Sequence, residues 1–238
     1  MRAEEEAPMP ISAPEKLSAV MTFVVGITPQ PKRILDVGPG CGVHGMLCRT
    51  QLDMTNPRRY EKEHWQTEII GVEVFEAYRN PIWDFVYDQV LIGDAVEVAP
   101  KLGAFDLVLL CDVLEHMPKE VGKAFLDQML SRSSYVIVSS PRGYAEQDAI
   151  FDNEAERHVS GWSKRDFRKY HVAYRGCGRG FVALLSRKPL PRGVTRLGRM
   201  WRHIRIRSIQ IGPRWMYRLY LAVRSLVRGK GARDSDRA

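Results

Sequence analysis

The stretch Arg33-Ile-Leu-Asp-Val-Gly-Pro-Gly-Cys-Gly42 constrains the fold of this chain more than any other. It reads as a buried strand that ends in a glycine loop and leads directly into a helix. Gly38, Gly40 and Gly42 carry no Cβ, so the backbone there can approach a bound nucleotide closely. The spacing is G-x-G-x-G; the G-x-G-x-x-G of dinucleotide binders would need its third glycine at Val43. Asp36 stands two residues before the first glycine. A carboxylate at that point sits badly beside a pyrophosphate but suits a ligand with a cationic amino acid end.

Four further apolar runs follow, at Glu68–Val74, Gln89–Asp94, Phe105–Asp112 and Ser134–Ser140. Their content of Val, Ile and Leu suits strands covered on both faces. Helical patterns separate them. Leu17, Val20, Met21 and Val24 fall at i, i+3, i+4 and i+7, and Pro118 can open a helix with Val121, Phe125 and Met129 on one face. Such alternation predicts an α/β fold with a doubly wound, mostly parallel sheet. His171–Gly176 and Phe181–Ser186 read as two more strands joined through a glycine-rich turn, for seven in all.

The loop, the alternation and the closing hairpin together resemble the class I S-adenosylmethionine-dependent methyltransferases, with their Rossmann-like fold. The resemblance implies S-adenosylmethionine as cofactor. It extends to acids at the strand ends: Glu73, with Val74 beside it, on the ribose hydroxyls; Asp94, with the backbone of Ala95, on the adenine; Asp36 on the methionine end, directly or through water. Each acid could also be a helix cap or a solvated strand end. The fourth strand runs into Asp112-Val-Leu-Glu-His116, which resembles a D-V-L-E-H signature of small-molecule methyltransferases and departs from the Asn/Asp-Pro-Pro-Tyr signature of enzymes acting on nucleic acid bases. No carboxylate constellation for magnesium stands out, so a metal-free transfer is expected.

His158-x-Ser160-x-Trp162, with Ser163 as a helix N-cap, resembles a loop of a bacterial subgroup, many members of which act on saccharides or other small acceptors. A loop after the fifth strand should overhang the acceptor side, bringing Tyr144, Gln147, Asn153 and Trp162 towards the acceptor. In the alternative, His158 and Trp162 only pin the loop to the core. A hydroxyl acceptor benefits from a base, and imidazole suits neutral pH; His158 is preferred over His116. Asp112 orients either the acceptor or the methionine end of the cofactor.

Charge is unevenly spread. Residues 189–238 hold 12 Arg and 1 Lys against 2 Asp, a net +11, whereas the whole 238-residue chain is +8, which leaves −3 for the remainder. We therefore expect a flexible N-terminus at 1–14, a methyltransferase domain at 15–188 and an Arg-rich amphipathic tail at 189–238. In the tail Val194, Leu197, Trp201 and Ile204 share one helical face, and Trp215, Leu219, Val223 and Leu226 repeat it after Gly212-Pro213, with arginines opposite. Such a tail, over 192–228, suits an anionic membrane surface, packing on the domain, or nucleic acid phosphates as the lesser choice. Two function classes stand: methylation of a saccharide, lipid-linked glycan or other small molecule, and an RNA-directed methyltransferase. A silent cofactor-binding module is disfavoured because no cofactor position is spoiled. No apolar run approaches the roughly 20 residues of a membrane span. The four cysteines show no zinc spacing, so a reduced, cytosolic setting is expected, at most peripheral to the membrane.

Overall fold

A computed structural model describes residues 12–55, 61–150 and 153–194. The strands are β1 (Arg33–Val37), β2 (Glu68–Glu73), β3 (Gln89–Ile92), β4 (Phe105–Cys111), β5 (Ser133–Pro141), β6 (His171–Cys177) and β7 (Gly180–Ser186). They form one sheet in the order β3-β2-β1-β4-β5-β7-β6. The strands β1 to β5 run parallel, and β7 enters antiparallel between β5 and β6. The hairpin from β6 to β7 turns through Gly178, whose φ of +52° favours glycine. The order reverses at β1, which has β2 on one side and β4 on the other. The connections after β1 and β4 therefore diverge and leave a crevice at the carboxyl ends of those two strands.

Alternation of side chains explains the two apolar faces. Leu35, Val37, Val108, Leu110, Val136 and Val138 share a buried cluster with Phe125, Leu126 and Met129 of the helix Lys119–Arg132. On the opposite face of these strands and of β2, Ile34, Ile69, Leu107, Leu109 and Ile137 are also buried. Helix α1 (Pro14–Val24) packs on β5, β6 and β7 and buries Ala19, Val20, Phe23 and Val24. The other helices are α2 (Val43–Arg49), α3 (Pro81–Val86), α4 (Ala95–Val98) and α5 (Lys119–Arg132). A π-helical turn, Thr50–Met54, follows α2 directly.

The structure departs from expectation in three places. Strand β3 is only partly covered, its residues half-buried or exposed, because it is the edge strand and has one neighbour. Val121 does not join Phe125 and Met129 in the core; it is 41% exposed in the first turn of α5 and borders the cavity described below. The N-terminal part is engaged earlier than residue 15: α1 begins at Pro14, and Ser12 hydrogen-bonds Asp112. The chain divides into a unit ending at Pro191 and a second from Arg192. The amphipathic tail expected over 189–238 lies, from residue 195 onward, outside the described residues.

Candidate active site

The glycine loop after β1 holds three left-handed residues, Gly38 (φ +64°), Gly40 (+52°) and Gly42 (+85°), a conformation that strains any residue with a Cβ. The N–H of Gly38 donates to the carbonyl of Val72 at 2.9 Å, and the Trp83 indole donates to the carbonyl of Gly40 at 2.8 Å. A Cβ on Gly40 would meet nothing within 4 Å, so the loop faces open space there. Gly42 does not line that space; it is the N-cap of α2.

Asp36 lies behind the loop, buried, with the Tyr87 hydroxyl donating to its Oδ2 at 2.6 Å and its Oδ1 without a partner. Burial pushes its carboxyl up to about 7, against the Tyr87 hydrogen bond and helped by the charge of Glu73. The carboxyl does not line the cavity. The expected direct contact with the methionine end is thus not made by this geometry, because the strand's alternation turns Asp36 towards Tyr87.

A cavity of ≈ 560 Å³ opens at the carboxyl ends of the central strands, a size that accommodates small ligands. Glu73, Val74, Asp94, Ala95 and Asp112 all line it, with Gly38 and Gly40. Glu73 is 4% exposed; its Oε2 accepts from Gly40 N–H (3.0 Å) and its Oε1 from Val74 (2.9 Å) and Phe75 (3.1 Å) N–H. Burial raises its carboxyl even so. Asp94 caps α4 by accepting from the Val96 N–H at 2.8 Å. Asp112 has φ +56°, the one positive value outside glycine among the described residues. Its carboxylate takes the Lys16 ammonium at 2.6 Å and the Ser12 hydroxyl. Burial works against its charge, but Lys16 and Ser12 outweigh it and hold the group below the usual carboxylate range.

His116 and His158 also line the cavity, with ring centroids 4.9 Å apart. His158 Nδ1 lies 2.7 Å from the Ala145 carbonyl, and His116 Nδ1 lies 3.3 Å from that of Arg157. A carbonyl only accepts, so Nδ1 carries the hydrogen in both rings. Burial, then the neighbouring His158, lowers the pKa of His116. Gln147 and Asn153 also line the cavity, Gln147 donating to the Glu156 carbonyl and Asn153 accepting from the Ala155 N–H.

Two expected acceptor contacts are not found. Trp162 is fully buried away from the cavity: its indole donates to the Leu114 carbonyl and to Ser160 Oγ, both at 2.9 Å, and its ring stacks on Phe167 with Lys119 Nζ 3.7 Å from its centre. It holds the loop to the core. Tyr144 is 62% exposed outside the cavity, its hydroxyl donating to the His158 carbonyl at 3.3 Å.

Among the lining side chains that sequence reasoning missed are the ionisable Lys16, His44, Glu115 and Glu156. Lys16 and His44 sit within helices where nothing in the pattern singles them out. Glu115, by contrast, was inside the D-V-L-E-H motif already noted. Glu156 accepts from the Tyr78 hydroxyl at 2.9 Å, a pairing 78 residues apart in sequence. Among the described residues no three His, Cys, Asp or Glu side chains are grouped to hold a metal ion.

No protein-family model matches the sequence, and no curated protein does. Solved structures match the fold. An O-methyltransferase family protein from Burkholderia thailandensis aligns over 74% of this chain with a TM-score of 0.51 and 14% identity; this chain spans 57% of that protein. A S-adenosylmethionine-dependent methyltransferase from Clostridium acetobutylicum ATCC 824 aligns over 74% of this chain and 92% of its own, with a TM-score of 0.53 and 8% identity. The magnesium protoporphyrin IX methyltransferase of Synechocystis PCC 6803, solved with bound S-adenosylmethionine, covers 73% of this chain and 79% of its own at a TM-score of 0.50 and 15% identity. The chain has the seven-stranded fold of the S-adenosylmethionine-dependent methyltransferases.

Proposed function

We propose that this protein transfers the methyl group of S-adenosylmethionine to a hydroxyl of an uncharged small acceptor, a saccharide or lipid-linked glycan being the best fit. The observation that carries the reading is the convergence of the glycine loop, Glu73, Asp94 and Asp112 on one cavity at the carboxyl ends of neighbouring strands. The cofactor fits the groups present. Glu73 keeps lone pairs for a ribose diol beyond the N–H groups it accepts. Asp94 stands at the end of β3 for the adenine. Asp112 and Lys16 offer one charge of each sign for the ammonium and carboxylate of the methionine end. When bound, the cofactor supplies a methyl group that is already activated.

The chain's own task is then to position the acceptor, exclude water and hold a proton. His158 takes the hydroxyl proton at Nε2, with Nδ1–H fixed on the Ala145 carbonyl. Gln147 and Asn153 border the acceptor side. Among the described residues the lining holds the carboxyl groups of Glu73, Asp94, Asp112 and Glu156 against the ammonium of Lys16, and a fifth carboxyl, Glu115, that burial keeps protonated near pH 7. That balance favours a cationic cofactor and a neutral acceptor over a phosphate-bearing one, so an RNA acceptor is the second reading. The arginine-rich tail serves in this proposal to hold the enzyme at an anionic membrane surface.

The test is transfer of labelled methyl from S-adenosylmethionine into an extract of the source cells, separated into lipid, glycan, small-molecule and RNA fractions. Label in the glycan, lipid or small-molecule fraction is the expected result; label confined to RNA would transfer the case to the second reading. Glu73→Ala should weaken S-adenosylhomocysteine binding by about tenfold or more, as loss of a charge-assisted contact implies. His158→Ala should leave that binding intact and slow transfer by about 10²-fold; unchanged turnover would make His158 a loop anchor only.

A further inference from the structure

Glu115 follows β4 in the single turn Leu114–His116. It is 2% exposed, lines the cavity, and neither of its carboxylate oxygens has a hydrogen-bond partner. Its backbone is held firmly: the Glu115 carbonyl accepts from the N–H groups of Val159 (2.8 Å) and Ser160 (3.0 Å), which clamps the overhanging loop to this turn. The position is fixed while the carboxyl group is left over. A buried polar group without a partner is costly, and folded proteins keep few of them. The nearby Ser140 hydroxyl and the residue's own backbone offset this cost only in part, since burial still dominates, and the residue borders the cavity.

The surroundings of Glu115 are mixed in charge. Asp112, at the end of the same strand, carries a negative charge that is paired with Lys16 of α1. Ser140 of β5 approaches from the next strand, and His116 and His158 line the same cavity, both carrying hydrogen on Nδ1. His44 of α2 lies near Asp112 with its Nε2 unpartnered; burial lowers its pKa to about 4, so it is neutral. Burial, and next the charge of Asp112, push the Glu115 carboxyl up to about 8. In the ligand-free protein near pH 7 it therefore holds a proton.

We propose that Glu115 selects the cationic sulfonium form of the cofactor over the neutral thioether product, by ionising when the cation enters the cavity and taking a proton back when the positive charge is gone. The inference rests on the methyltransferase reading above. The balance closes. As the acceptor oxygen gains the methyl group, the sulfur keeps the bonding pair and becomes neutral. The hydroxyl proton leaves to His158 and passes on to the Glu115 carboxylate. Carboxyl and thioether are then both uncharged, and the attraction that held the cation is lost together with the charge. The site thus binds its substrate form more tightly than its product form without a change of shape.

Isothermal titration calorimetry on the full chain tests this, with S-adenosylmethionine and S-adenosylhomocysteine as probes, each at pH 7 in buffers of different protonation enthalpy. The expected result is release of about 0.9 proton per S-adenosylmethionine bound and about none per S-adenosylhomocysteine, as a group titrating near 8 requires. The affinity ratio of the two should rise by about tenfold from pH 6 to 7 and level off above 8. Glu115→Gln, which keeps the size of the side chain, should abolish both effects while S-adenosylhomocysteine still binds. Equal proton release for both ligands, or release from S-adenosylmethionine that survives Glu115→Gln, would overturn the proposal. The wild-type comparison decides it even where the variant does not fold. Failure of both ligands to bind would overturn the methyltransferase reading itself, which is a distinct outcome.

Discussion

Arg49 and Glu115 are both buried ionisable residues, and they differ in what surrounds them. Arg49 is fully buried and saturated: its guanidinium donates to the carbonyls of Val86 and Thr67 and to the carboxylates of Asp53 and Asp88, and it lies 4.4 Å over the Trp65 ring. Such a charge is structural, because its polar capacity is spent inside the protein. Glu115 has no carboxylate hydrogen bond of ordinary geometry, with only the Ser140 hydroxyl and its own backbone nearby. The contrast has a pH signature. The folded state holds protons on Glu115 up to about pH 8 and on Asp36 up to about pH 7, whereas an unfolded chain releases them near the ordinary carboxylate values. Between those limits the native state binds more protons, so stability falls as pH rises. His44 acts in the opposite sense, its lowered pKa making stability grow as pH rises from about 4 towards its ordinary value of 6.5. Thermal unfolding of the ligand-free protein should therefore be most favourable to the fold in mildly acidic solution and weaken up to pH 8. Glu115→Gln should flatten the alkaline part of that curve; an unchanged slope would show that Glu115 is already ionised in the empty protein.

At the level of elements, the loop after β5 illustrates how a sequence motif can be recognised and its members still misassigned. His158, Ser160 and Trp162 sit two residues apart, yet they part company. His158 reaches the cavity, while Trp162 turns inward over Gly122, where an added Cβ would come within 2.8 Å of its ring. The motif is legible in one dimension, but which member faces inward depends on α5 and on the turn at Leu114, both distant in sequence. The same holds for α5 itself. Its apolar spacing located the helix, but whether Val121 lay over the sheet or over the cavity was decided by where the sheet stops. Ser163 is a case where local chemistry sufficed: its hydroxyl and Asp166 form a capping box on the turn Lys164–Phe167. Trp162→Ala should destabilise the fold by about 3–5 kcal/mol, as for other buried tryptophans. Because Trp162 does not touch the cavity, the folded fraction should retain S-adenosylhomocysteine affinity. Chemical denaturation and calorimetry on the same sample separate the two; lost affinity with unchanged stability would return Trp162 to the ligand site.

Across the whole molecule, the strands of the sheet and the cavity-lining positions Gly38, Gly40, Glu73 and Asp94 were legible because they occur in order at the ends of apolar runs. The positions expected for the acceptor were legible only in part: His116, Gln147, Asn153 and His158 line the cavity, whereas Tyr144 and Trp162 do not, and Lys16 of α1 was missed because no local pattern connects α1 with the turn after β4 and the loop after β5. Function at this scale also depends on where the enzyme works, and here charge is the guide. The net +11 of residues 189–238 is set against a cavity whose ionisable lining, among the described residues, holds more carboxyl groups than ammonium groups. An acidic cavity and a basic tail attract different partners. On the proposed function, the tail would place the site beside an anionic surface and would not draw a polyanion into it. Each arginine near such a surface contributes about 1 kcal/mol, and tryptophans on the apolar face add burial among the lipids. The full chain should co-sediment with vesicles containing phosphatidylglycerol and not with vesicles of phosphatidylcholine alone. Raising the salt to 1 M, where the Debye length falls to about 3 Å, should release most of it. Trp201→Ala with Trp215→Ala should weaken binding further at low salt, because those side chains would enter the interface. Binding to a single-stranded RNA oligonucleotide that is tighter than binding to the anionic vesicles, and that is lost in the same double variant, would show that the tail stacks bases and would favour the RNA reading.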